Sequence, residues 1–216
     1  MTVSPDADGF PSGFFRRTDE SPDDGFYEPD RFVTHIDDRA IAAVGALYEQ
    51  LGVSGRVLDL MASWVSHFRT PPTELSILGM NERELAANEA ATIRIVHDLN
   101  ADPHLPFADC RFDAATCCVS IDYLTRPIEV FREVRRVLVD GGLFVCTFSN
   151  RCFPTKAIHG WLGSDDRGHR AIVAEYFRRS GGWTEPAAAL CTPPGTAGDP
   201  LYGVWASRQP PSAHPD

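Results

Sequence analysis

Polar side chains stand at or just beyond the ends of five short apolar runs: Asp59, Asn81, Asp98, Ser120 and Ser149. If those runs are neighbouring strands of an open parallel sheet, the row offers one hydrogen-bonding group per strand end, which suits a nucleotide-like ligand with many contact points. Polar residues also resume wherever a strand stops, so the row equally fits ordinary strand-to-loop junctions. Metal chemistry is not indicated. The seven histidines show no HxxxH or HExxH spacing, and the six cysteines contain no CxxC pair. We expect no metal site, and we expect reduced cysteines, with Cys117, Cys118 and Cys146 packed as small hydrophobes.

The elements that would position these groups can be read from periodicity. From Asp38 an acidic cap precedes Ile41, Val44, Leu47, Tyr48 and Leu51 at spacings of three and four, closed by Gly52, which predicts a helix of about fourteen residues. Apolar runs at Arg56–Leu60, Leu75–Leu78, Thr92–Val96, Phe112–Ile121 and Leu143–Phe148 read as strands. Two weaker strands are expected at Ala187–Leu190 and Leu201–Ala206. Ile128, Phe131, Val134 and Leu138 form one helical stripe over Pro127–Val139, before an Asp140-Gly141-Gly142 turn. Ile172, Val173, Tyr176 and Phe177 mark a later helix stopped by Gly181-Gly182. Strands that are apolar throughout and alternate with helices pair in parallel through right-handed crossovers. The expected fold is α/β: a doubly wound, mostly parallel seven-stranded sheet with helices on both faces and a C-terminal antiparallel hairpin.

With 216 residues the chain supports a single well-filled core. We expect an acidic, aromatic arm or lid over residues 1–37, one domain over 38–207 and a disordered tail over 208–216, where proline is dense. A lid predicts that deleting residues 1–30 weakens ligand binding more than folding. No apolar run approaches the length that spans a bilayer, and Met1–Phe10 has no basic or apolar leader pattern, so a cytoplasmic protein is expected. The net charge of -10 argues against a nucleic-acid partner and for a small-molecule substrate.

Several segments resemble the serial motifs of Rossmann-like, class I S-adenosylmethionine-dependent methyltransferases. They are Val57-Leu58-Asp59-Leu60, Leu105-Pro106-Phe107-Ala108-Asp109, Phe112-Asp113, and Phe131–Leu138 with Asp140-Gly141-Gly142. The likeness covers roughly residues 38–206. More narrowly, Phe26-Tyr27, Arg31-Phe32-Val33, His35-Ile36-Asp37, Leu58–His67 and Ser149–Pro154 are similar to a subgroup of bacterial and plant methyltransferase-like proteins. The resemblance implies S-adenosyl-L-methionine as cofactor, held by Asp59, Met61, Ala62, Ser63, Met80, Asn81, Asp98, Leu99 and Ser120. Asp98 would face the adenine amino group and Leu99 the ring.

Two departures from the family pattern stand out. The acidic-X-Gly-X-Gly-X-Gly loop is replaced by Asp59-Leu60-Met61-Ala62-Ser63-Trp64, with no glycine where a backbone would pass close to the methionine moiety. The acid that usually holds the ribose hydroxyls is replaced by Asn81, so Asn81→Asp is expected to strengthen binding. The resemblance places Asp122 and Tyr123 nearest the transferable methyl, and His67 lies in the altered loop; these three are the candidate catalytic bases. The function expected is methyl transfer to a small molecule. The alternative is a noncatalytic binding or regulatory protein that kept the fold without efficient cofactor capture.

Overall fold

The computed structural model describes residues 9–195 and 197–210. In chain order the elements are α1 (Asp23–Tyr27), α2 (Asp38–Gln50), β1 (Arg56–Leu60), β2 (Glu74–Gly79), α3 (Glu82–Ala87), β3 (Ile93–Val96), β4 (Phe112–Cys118), a 3-10 turn (Ile121–Tyr123), α4 (Pro127–Val137), β5 (Leu138–Phe148), α5 (His159–Leu162), α6 (Asp166–Ser180), β6 (Ala187–Leu190) and β7 (Tyr202–Ser207). The strands form one sheet in the order β3-β2-β1-β4-β5-β7-β6. β1 to β5 pair in parallel and β7 runs antiparallel to both β5 and β6. This is the expected doubly wound sheet with its C-terminal hairpin.

Alternation along the strands divides the core between the two faces. Leu58, Leu60, Leu78, Ala115, Phe144 and Phe148 pack toward α4 and α6. Val57, Leu75, Ile77, Ala114 and Val145 pack toward α2. α2 starts where the Asp37 side chain accepts from Ala40 N at 2.9 Å, and Gly52 at φ 70° ends that region. Pro127 opens α4, where its missing N–H costs nothing.

Three sequence-based boundaries shift. β4 stops at Cys118 rather than Ile121, because Val119 adopts φ 46° and turns the chain. α4 ends at Val137 and β5 begins at once, so Asp140-Gly141-Gly142 lies inside a strand. Its left-handed Gly141 accompanies a register shift against β4, and the Gly141 and Gly142 backbones pair with Arg208. β3 begins one residue later than expected and, as an edge strand, leaves Ile93 and Val96 exposed. The segment expected as a disordered tail begins with Arg208, which makes these backbone bonds; residues 211–216 lie outside the described residues, as do residues 1–8 of the arm.

Residues 9–37 run across the carboxyl ends of the strands. Phe10 is buried against Tyr176 of α6 with ring centroids 5.8 Å apart. Lys156, the only lysine of the chain, is fully buried, with Nζ 3.0 Å from Asp19 and 3.1 Å from Asp23. Arg17 pairs with Asp23 at 2.8 Å. Among the described residues, no helix is long and apolar enough to cross a membrane.

Candidate functional site

The chain runs outward from β1 through β2 to β3 and then crosses back to β4 on the other side of β1, so the gap between β1 and β4 is the switch point of the sheet. A cavity of about 280 Å³ opens there. Its floor comes from residues at or just past the ends of four strands: Met61, Ala62 and Ser63 after β1; Gly79 at the end of β2 with Met80 and Asn81 after it; Asp98, Leu99 and Asn100 after β3; and Val119, Ser120 and Tyr123 after β4. Its roof comes from the arm, through Tyr27, Arg31 and His35, and from Cys152 and Phe153 beyond β5.

The glycine-free loop solves its close approach in another way. Met61 itself adopts the left-handed conformation at φ 53°, and Ala62 N donates to Leu78 O at 2.8 Å, laying the loop on the end of β2. A Cβ at position 79 would press on the Ala62 carbonyl oxygen, so the missing side chain sits in the facing strand, at Gly79. The loop therefore keeps a left-handed turn at a cost of order 1 kcal/mol.

Asp59 does not line the cavity. It lies behind the loop, buried, accepting from Thr116 Oγ1 at 2.7 Å and Ser66 Oγ at 2.9 Å. Burial pushes its carboxyl up to about 6 despite both hydroxyls. Its role is to tie the loop to β4 from below. His67 lines the same small space of about 70 Å³ behind the loop, and burial lowers its pKa. Asp122 also turns away from the cavity into the core. One of its carboxyl oxygens has no hydrogen-bond partner, and burial raises its pKa to about 8. Of the three candidate bases the structure brings only Tyr123 to the cavity. Its hydroxyl accepts from Phe153 N at 2.9 Å, and burial raises its pKa further.

Asn81 is engaged on all sides. Its Oδ1 accepts from Glu84 N at 3.0 Å, capping α3, while Nδ2 lies 3.1 Å from Tyr27 O, 3.1 Å from Glu28 O and 3.2 Å from Asp30 Oδ1. An aspartate there would face three acceptors, so the expected gain from Asn81→Asp is reversed. Asp98 accepts from Asn100 N at 2.8 Å, closing a turn, and also lines the cavity. Leu99 is buried beside it.

Sequence reasoning did not single out Glu84, although Asn81-x-x-Glu84 is a capping signature. Glu84 accepts from Arg31 N at 2.6 Å and from Ser63 Oγ at 2.5 Å, joining arm, loop and α3 at the cavity edge. Nothing local marks that three-way junction. Asn100 is a second unmarked hub: Nδ2 donates to Asp23 Oδ2 at 2.9 Å and Tyr123 O at 3.0 Å, and Oδ1 accepts from Thr125 N at 2.8 Å. No group of three or more metal-ligating side chains occurs among the described residues.

A family model described as a methyltransferase domain matches residues 54–146, the segment that builds β1 to β4, α4 and most of β5. No curated protein matches the chain. Among solved structures, the partner of the Trm112 methyltransferase activator in a Haloferax volcanii complex is 17% identical, with a TM-score of 0.58 over 82% of this chain and 92% of that one. An S-adenosylmethionine-dependent methyltransferase from Mesorhizobium loti is 18% identical, with a TM-score of 0.53 over 77% and 98%. The cyclase SpnF is 14% identical, with a TM-score of 0.58 over 84% and 89%. The matched segment is thus similar to a methyltransferase domain, and the solved structures share with this chain the seven-stranded α/β fold that carries the switch-point cavity.

Proposed function

We propose that the cavity binds S-adenosyl-L-methionine and that the chain transfers a methyl group to a small-molecule acceptor. The observation that carries this reading is the switch-point cavity, floored by the ends of β1 to β4, with a left-handed Met61 over a bare Gly79. Met80, Leu99 and Asp98 suit an adenosine, the first two by apolar contact and the third by accepting an amino proton. Met61, Ala62 and Ser63 would run beside the methionine part. The cofactor supplies an electrophilic methyl on a sulfonium, and the protein contributes alignment and exclusion of water. Asp59, behind the loop, holds the loop rather than the ligand. Asp122 and His67, turned away from the cavity, are not proton acceptors in this reading. Tyr123, kept neutral by burial, orients Phe153 at the acceptor end. The acidic charge and the small roofed cavity support a small-molecule acceptor over a nucleic acid.

A second reading, a noncatalytic ligand-binding protein, is favoured by one observation: the polar atoms of Asn81 are all committed to the arm and α3. SpnF, carrying the same fold, is described as a cyclase, so the fold does not dictate the reaction. Isothermal titration with S-adenosylmethionine and its demethylated product decides. We expect saturable binding, weakened about tenfold by Asp98→Asn, which keeps the turn's acceptor but removes the charge. Absence of heat at millimolar cofactor would remove the methyltransferase reading.

A further inference from the structure

Arg31 lines the cavity, and among the described residues its guanidinium makes no ion pair, unlike that of Arg151, the other arginine of the cavity. Asp23 is matched by Arg17 and Lys156, and Arg151 by Asp199 at 2.8 Å. The Arg31 guanidinium donates only to backbone carbonyls, Phe26 O at 2.7 Å and Pro29 O at 3.2 Å. Glu84, an acid in contact with this residue, accepts from its backbone N–H instead. Of five guanidinium N–H donors, these carbonyls use two, and they neutralise none of the charge.

Aromatic rings hold that charge in place. The guanidinium carbon lies 4.6 Å from the Phe26 ring centroid, 5.6 Å from Phe153 and 6.0 Å from Tyr27. Tyr123 and Phe153 stand 6.0 Å apart with their planes tilted by 33°, so the acceptor end of the cavity has flat apolar walls. A cation fixed by stacking, with unused donors in a planar fork, is built to receive a planar oxyanion, and flat walls beside it receive a planar apolar body. We propose that Arg31 is the specificity-determining residue for an anionic acceptor, a flat, largely apolar molecule carrying a carboxylate or a chemically equivalent oxyanion. This rests on the methyl-transfer reading for the word acceptor, but not for the anion site itself.

The carboxylate could also belong to the methionine part of the cofactor, and the test separates the two sources. The full-length chain and its Arg31→Gln and Arg31→Lys variants are titrated calorimetrically with S-adenosylhomocysteine, with 5'-methylthioadenosine, which lacks the amino-acid head, and with benzoate and its neutral analogue benzamide. Benzoate and benzamide are added both to the free and to the S-adenosylhomocysteine-saturated protein. The expected result is that benzoate binds the saturated protein about tenfold tighter than benzamide, that Arg31→Gln abolishes this preference, and that Arg31→Lys keeps part of it. Circular dichroism checks folding, and if Arg31→Gln fails to fold, the Arg31→Lys and benzamide arms still decide. Two outcomes overturn the proposal: equal binding of benzoate and benzamide by the parent chain, or an Arg31 effect confined to S-adenosylhomocysteine and absent for 5'-methylthioadenosine. If S-adenosylhomocysteine does not bind the parent, the methyl-transfer reading fails on its own. The benzoate titration of the free chain then tests the anion site separately.

Discussion

Two side chains show how a residue type takes its meaning from its surroundings. Asn81 replaces an acid at the end of β2, and by sequence alone restoring the acid should help. In the folded chain its amide donates toward two carbonyls and the Asp30 carboxylate, so Asn81→Asp puts a negative charge among acceptors. We expect Asn81→Asp to lose about 1 to 3 kcal/mol of stability, read as a lower urea midpoint, with no gain in cofactor affinity. An unchanged midpoint would contradict the arm clasp. Met61 poses the complementary test, since its left-handed backbone is strained in any residue with a Cβ. Met61→Gly and Met61→Ala lose the same packing, yet only alanine keeps the strain. The glycine variant should be the more stable of the two by about 1 kcal/mol, after allowing for its larger unfolded-state entropy. Equal thermal midpoints would mean that the turn is not held in that conformation in solution.

The arm was expected from its acids and aromatics to pack over the domain as a lid. Its described part also supplies core residues and the counter-ions of a buried lysine. Phe10 is buried and packs with Phe14, Phe15 and Tyr176. Truncation through residue 30 would leave Lys156 without Asp19 or Asp23, and an uncompensated buried charge costs about 3 to 5 kcal/mol. We therefore expect that truncation to weaken folding at least as much as ligand binding. Lys156→Met should cost less, because Asp23 keeps Arg17. Urea midpoints of the truncated chain and of Lys156→Met check the order. A truncated protein as stable as its parent would instead support an arm that serves ligand binding more than folding.

At the scale of the whole molecule, the buried acids give stability a pH dependence. Burial raises Asp122 from 3.8 to about 8 and Asp59 from 3.8 to about 6. The sign follows from which form the fold prefers. A raised carboxyl pKa means the folded state holds the proton, so these groups contribute fully below about pH 4 and lose their contribution as pH rises through the folded values. Asp122→Asn removes that penalty at one site. The stability of Asp122→Asn relative to the parent should rise by a few kcal/mol between about pH 4 and 8 and then level off. Denaturant midpoints measured for both proteins across that range test this, and a flat difference would contradict it.

Much of the fold was legible because periodicity is a local property. The apolar runs, the stripe along α4, the acidic cap region from Asp38 and the stop at Gly52 each depend on residues a few positions apart, and they determined the strand and helix order from which a doubly wound sheet follows. Of the strand-end row, Asn81, Asp98 and Ser120 line the cavity, together with Met61–Ser63, Met80 and Leu99, whereas Asp59 and Ser149 do not. Side-chain direction was not legible. Asp59, Asp122 and His67 stand beside strand ends in sequence but point into the core or behind the loop, a choice made by hydroxyl partners from β4 and by packing around the 3-10 turn. Long-range closure decided the remainder: Arg31, Glu84 and Asn81 meet only because residues 9–37 cross the sheet, contacts spanning about fifty positions that no local pattern encodes.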